Sequence, residues 1–220
     1  RFVPIAEQTL QGLYQARRNL QHEEGNDART VTLTALHTLS FTFFPDWLTK
    51  LSTELGPIVS HMRPDSGSIE ENLNSLIDGD SDFLLTYQNL HVPMLLDPQF
   101  EYHTLGAETI IPVSATNENG APLHRLEPGF AHVSYQKTSF FGQLMAGAFA
   151  SRLPADNRVH VGSHSVGLKA MVTAGWGLSW IPESLVKAEL ADGRLVRAAD
   201  PEWDIKVEIR LYRSKENRRP

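Results

Sequence analysis

Cysteine is absent from this 220-residue chain, which excludes a disulfide, a thiol sensor and a thiolate metal site. Long apolar runs are absent as well: none approaches the roughly 20 residues that a membrane helix requires. Positive charge is scarce. Lys and Arg number 20 against 26 Asp and Glu, for a formal net charge of −6. A free-standing DNA-binding domain is usually basic, because phosphates must be neutralised, so this segment is not expected to hold a nucleic-acid contact surface. The opening residues, RFVPIAEQTLQGLYQARRN, lack the apolar core and small-residue cleavage site of a signal peptide. They also lack an initiator Met, and the chain is expected to be a fragment. No G-x-S-x-G, H-E-x-x-H or P-loop is present. The AGWGLSW segment has only two of the glycines of a dinucleotide fingerprint, and it follows a helix instead of opening one. Of the nine histidines, His160 and His164 are four apart, but they straddle a strand and Gly162 and share no helix face for zinc. No catalytic residue, metal or cofactor is expected, and the chain does not read as an enzyme.

What is present is ordinary for a globular protein: 41% hydrophobic and 21% charged residues, enough for one large core or two small ones. Ile5, Leu10, Leu13, Ala16 and Leu20 recur at helical spacing, followed by the polar HEEGNDART with its Gly25. This predicts an amphipathic helix and a linker within 1–25. Its apolar face needs a partner, either this chain's own core or a second subunit. Val31 to Leu36 alternates like a strand. A helix is predicted over Ser40 to Leu55, with Pro45 early in it and Gly56-Pro57 as its stop. Ile58 to Met62 reads as a strand. Ser68 and Glu71 fit a capping box at the head of a helix over Ile69 to Ile77, closed by Gly79. Asp82 to Tyr87 and Phe100 to Leu105 read as strands three and four.

The most informative stretch runs from Val159 to Arg197. Val159 and Val161 form a short β-branched strand. Ser165 offers an N-cap to a helix over Val166, Leu168, Met171 and Val172. Gly175 and Gly177 are expected to end that helix at positive φ. Leu178 to Ile181 is a second short strand, Pro182 fits the first position of a further helix, and Gly193 closes that helix. Two α/β units in succession indicate a sheet with helices on its faces.

TAGWGLSWIPESL followed by DGRLVR resembles the second effector-binding subdomain of the LysR-type transcriptional regulators. FFPDWL and GDSDFLLTY resemble the first, with Ser81 where the family usually carries a leucine. IIPVSAT and FAHVSYQKTSFFGQLMAGAF resemble the opening of the second subdomain, and KVEIRLY the strand that returns to the first. The resemblance covers about nine-tenths of the chain. It includes the linker helix at the front, but not the DNA-binding helix-turn-helix before it or a full last helix after KVEIRLY. It implies an α/β fold of two Rossmann-like subdomains joined by two crossover hinge strands, like the type II periplasmic binding proteins. Subdomain I would comprise 30–106 and 203–220, and subdomain II 107–202. The crossings would fall near Leu105–Thr109 and Arg197–Trp203.

In such a fold, loops beyond the carboxyl ends of the strands converge on a cleft, and helix N-termini there attract anions. The candidate effector contacts are Thr38, Ser40, Phe41, Ser68, Thr138, Ser139, Phe140, His164 and Ser165, with Trp180 as a further apolar wall. Only Lys137 adds positive charge nearby, so a small carboxylate and an uncharged molecule are both allowed. The resemblance further implies a cytoplasmic homodimer or homotetramer that reaches DNA through an absent N-terminal domain. Subunits would pair through helices Ser40–Leu55 and Ser139–Arg152. HxLSFTFFP and SYQKTSFFG are also similar to the branch containing a hypochlorite-responsive regulator, where a redox role would fall to Met145 or Met171. The rival reading is a stand-alone solute-binding protein of a transport system with the same fold. The amphipathic front helix and the lack of a secretion signal favour the regulator.

Overall fold

The computed structural model describes residues 30–94 and 96–215. The front helix expected within 1–25 and any element after Lys215 lie outside the described residues.

Strand β1 (Thr30–Ala35) is followed by helices α1 (His37–Thr42) and α2 (Phe44–Leu55), and then by β2 (Val59–Arg63). Helix α3 (Ile69–Ile77) leads to β3 (Phe83–Gln88). β1 pairs in parallel with both β2 and β3, so the helices must cross over the sheet between strands. The single helix expected from Ser40 to Leu55 is divided at Phe43. Pro45 explains the break: it has no N–H to donate to Phe41, and its ring would crowd that carbonyl in a continuous helix.

Strand β4 (Phe100–Ala115) is sixteen residues long. It absorbs two stretches that the sequence suggested as separate strands, Phe100–Leu105 and IIPVSAT. Its first eleven residues are held by β9 (Ile205–Ser214), antiparallel from Phe100↔Ser214 to Ile110↔Ile205, with one irregularity between Thr104 and Gly106. β9 also pairs with β3. Beyond β9, the far half of β4 carries β7 (Ser179–Pro182) and β8 (Leu195–Arg197), both antiparallel. The sheet order is therefore β2-β1-β3-β9-β4-β7, with β8 also on β4. Strands β5 (Phe130–Tyr135) and β6 (Asp156–Gly162) form a parallel pair of their own, tied to the rest by the bridge His132↔Leu178. Helix α4 (Phe140–Ala148) joins β5 to β6, α5 (Ser165–Thr173) follows β6, and α6 (Glu183–Ala191) follows β7. This is the type II periplasmic-binding-protein arrangement, with β4 running from one half into the other.

Local chemistry departs from expectation at four points. Gly175 takes the positive φ of 82° that ends α5, but Gly177 is not among the positive-φ glycines. Gly177 is small for another reason: a Cβ there would lie 2.5 Å from the Ala131 carbonyl oxygen. Ser165 is the first residue of α5, and the N-cap is His164. The Ser165 hydroxyl instead accepts a hydrogen bond from the Tyr135 hydroxyl at 2.8 Å. Ser68 is the N-cap of α3 but makes no side-chain cap bond, and its own amide donates to the Ser66 hydroxyl. Pro182 is the N-cap of α6 and still the last residue of β7.

One hydrophobic cluster runs through both halves. Leu33, Leu39, Leu85 and Tyr87 from the first half are continuous with Phe140, Phe141, Leu144, Leu168 and Trp180 from the second. The Tyr87 ring lies 5.9 Å from Phe140 and 5.6 Å from Phe141, so the halves are closed on each other. Among the described residues no helix is long and apolar enough to cross a membrane.

Candidate functional site

Four loops meet where the halves face each other: those after β1, β2, β5 and β6. They enclose a cavity of about 10 Å³ lined by Leu36, His37, Thr38, Asp65, Gly67, Ser68, Ile69, Ser139, Phe140, Phe141, Ser163, His164 and Ser165. That is room for about one water molecule. The halves touch directly here. The Ile69 amide donates to the Thr138 carbonyl at 3.4 Å, and a Cβ on Gly67 would meet Ser163 Cβ at 3.0 Å. A larger guest requires the cleft to open.

Of the residues expected here, Thr38, Ser68, Ser139, Phe140, His164 and Ser165 line the cavity. Ser139 caps α4: its hydroxyl accepts from the Gly142 amide at 3.1 Å and donates to the Gln136 carbonyl at 2.7 Å. Thr138 is exposed and contributes its carbonyl only. Ser40 turns back to donate to the His37 carbonyl at 2.7 Å and does not line the cavity. Phe41 is 62% exposed, because α1 presents that face to solvent. Trp180 is no wall of the cleft: its indole packs among Phe130, His132 and Phe149 and donates to the Trp203 carbonyl at 2.9 Å.

The residues that sequence reasoning missed are the ones carrying charge. Asp65, in the loop after β2, has a side chain only 5% exposed. Its Oδ2 accepts from the His37 amide at 2.8 Å, and its Oδ1 accepts from the Gly67 amide at 3.0 Å and Asn72 Nδ2 at 2.6 Å. Across the cleft His164 Nε2 lies 3.8 Å from Oδ2, and Ser163 Oγ is 2.8 Å from His164 Nδ1. The His37 and His164 rings are 4.8 Å apart, edge to face. Burial, reinforced by the neighbouring His164, holds the His37 imidazole below its ordinary range against a smaller upward pull from Asp65. The charged form of His37 is thereby disfavoured. Its Nδ1 is buried with no hydrogen-bond partner among the described residues. The PDSG sequence signals a turn, but nothing local to it announces that its carboxylate reaches an amide 28 positions upstream. Among the described residues no group of three or more His, Asp or Glu could hold a metal ion.

Comparison with known proteins agrees with this geometry. A family model described as the LysR substrate binding domain matches residues 24–220. The HTH-type transcriptional regulator YjiE of Escherichia coli K12 is 26% identical over 212 residues, covering 91% of this chain. This chain spans only 65% of YjiE's own length. The HTH domain-truncated transcriptional regulator QseD of Escherichia coli O157:H7 is also 26% identical, over 91% of this chain and 82% of its own. The full-length structure of HypT from Salmonella typhimurium, a hypochlorite-specific LysR-type regulator, superposes with a TM-score of 0.72 at 25% identity, over 92% of this chain and 70% of that one.

Proposed function

Because the chain belongs to the LysR substrate-binding-domain family, we propose that it is the effector-sensing and pairing part of a cytoplasmic transcriptional regulator. It has no catalytic activity, and it takes a small molecule in the cleft between its halves. The observation that carries this reading is the convergence of four strand-end loops, two from each half, on one small cavity of about 10 Å³. A ligand that enters must part the loops or replace their mutual contacts. It thereby acquires different affinities for open and closed arrangements, which is what a switch requires. We assign 30–106 and 203–220 to subdomain I and 107–202 to subdomain II, joined where β4 passes 105–109 and where the chain crosses between Arg197 and Trp203. The DNA contact belongs to a separate domain, in keeping with the acidic balance of this one. Two or four copies associate, with α2 and β2 of one against α4 of another. Exposed apolar side chains on that side support the pairing: Leu55 on α2, and Val59 and Met62 on β2.

The test of the cleft is a thermal-shift screen of the 220-residue chain against small carboxylates, amino acids, uncharged amides and alcohols, and mild oxidants. A ligand at about 100 times its dissociation constant stabilises by about 2.7 kcal/mol. A true cleft ligand loses its effect in Thr38→Val and Ser139→Ala variants that still fold. A stabilising ligand indifferent to both variants would place the binding site elsewhere.

A further inference from the structure

Asp65 stands where an anionic guest of the cleft would have to stand. Its carboxylate already takes the His37 amide, the Gly67 amide and the Asn72 side-chain amide, and it is the acid nearest His164. Three serine hydroxyls of the lining are engaged as well. Ser139 Oγ is shared between Gly142 and Gln136, Ser165 Oγ is taken by Tyr135, and Ser163 Oγ by His164. One buried polar atom of the lining has no partner, His37 Nδ1, and it belongs to a ring whose charged form is disfavoured. An incoming carboxylate would find the His37, Gly67 and Asn72 amides already taken by Asp65 and a like charge beside it, in surroundings that screen charge poorly.

We propose that Asp65 is the specificity-determining residue of the cleft: a built-in anion that makes the site reject carboxylates and admit a small uncharged molecule that hydrogen-bonds to His37. The inference rests on the reading of the cleft as the effector site, but its test does not. Removing the Asp65 side chain should leave a vacant anion position that an external carboxylate of the same size can fill, as a matter of mass action.

The experiment is thermal denaturation of the 220-residue chain and its Asp65→Ala and Asp65→Asn variants in sodium formate or sodium acetate. Sodium chloride at equal concentration is the ionic control. The wild-type chain is expected to melt at the same temperature in all three salts. Asp65→Ala is expected to melt lower and to regain most of the loss, saturably, in formate or acetate, at least tenfold more tightly than the wild type binds either. Asp65→Asn, whose amide fills the same space, should gain nothing. Stabilisation of the wild type equal to that of Asp65→Ala would overturn the assignment. So would a folded Asp65→Ala with no saturable gain, or equal rescue by chloride. If Asp65→Ala does not fold, formate is titrated into the wild type while the His37 and His164 ring proton resonances are followed by NMR. Saturable movement overturns the proposal and stationary resonances support it. Failed rescue alongside a Ser139-dependent effector response would remove only the role of Asp65. Successful rescue with no Ser139-dependent response would remove only the effector reading.

Discussion

At the scale of single residues, two histidines make the fold sensitive to mild acid. His132 lies in β5, its Nδ1 2.6 Å from Asp156, and burial, with a smaller push from Arg158, lowers its pKa against the upward pull of Asp156. His37 is lowered in the same direction by burial and His164. The native chain thus holds fewer protons on these rings than the unfolded chain, where imidazole titrates near pH 6.5. Above that value both states are neutral and the contribution to stability is complete. As the pH falls through about 6.5, the unfolded chain gains protons that the native one resists, and stability drops. Melting temperature should be level from about pH 8 to 7.5 and decline towards pH 5.5. His37→Gln and His132→Asn should each flatten that decline. Equal slopes in all three proteins would show that other groups carry the effect. Ser81 illustrates the opposite case, a residue that looked like a loss. In place of a leucine it puts a buried hydroxyl 2.6 Å from Thr34 Oγ1 and 2.8 Å from Ser75 Oγ, so burial leaves no polar atom stranded.

At the scale of elements, the glycines around α5 separate two kinds of constraint. Gly175→Ala forces a side chain into the left-handed region and should cost about 1–2 kcal/mol. Gly177→Ala drives a Cβ against the Ala131 carbonyl, backbone against backbone, where β5 joins the rest of the molecule. It should cost about 3 kcal/mol. The check is the pair of melting temperatures: at this chain length each kcal/mol is worth about 2–4 °C, and Gly177→Ala should show the larger drop. The same contrast marks how far the sequence could be read. Helix α3 has the bounds that its periodicity and Gly79 predict, and the strand–helix succession points to a sheet with helices on its faces, while the two-subdomain fold comes from the family resemblance. These signals are local. Gly177, Ser165 and Asp65 were misread or missed because their partners, Ala131, Tyr135 and His37, lie 28 to 46 residues away and become neighbours only after folding. Six residues of the cleft lining, Thr38, Ser68, Ser139, Phe140, His164 and Ser165, were legible as helix starts after strands, since that geometry follows from the fold class. The charge at its centre was not.

At the scale of the whole molecule, the apolar side chains on the α2 and β2 side predict association. β2 is an edge strand, and Val59 on it is 45% exposed. A Val59→Lys variant should keep its fold and shift the sedimentation profile towards monomer, since a charge on an edge strand opposes docking. An unchanged profile would direct the search for the interface elsewhere. Another consequence lies in β4 and β9. They run side by side at the junction of the halves, paired from Phe100↔Ser214 to Ile110↔Ile205, so sliding one half past the other would break that ladder. The one softened place is the slip of register between Thr104 and Gly106. Such a ribbon behaves as a torsion bar, stiff to stretch and compliant to twist. Whatever enters the cleft can therefore report its presence only as a rotation of one half against the other, and anything fastened to the two ends would feel a change of angle and hardly any change of distance.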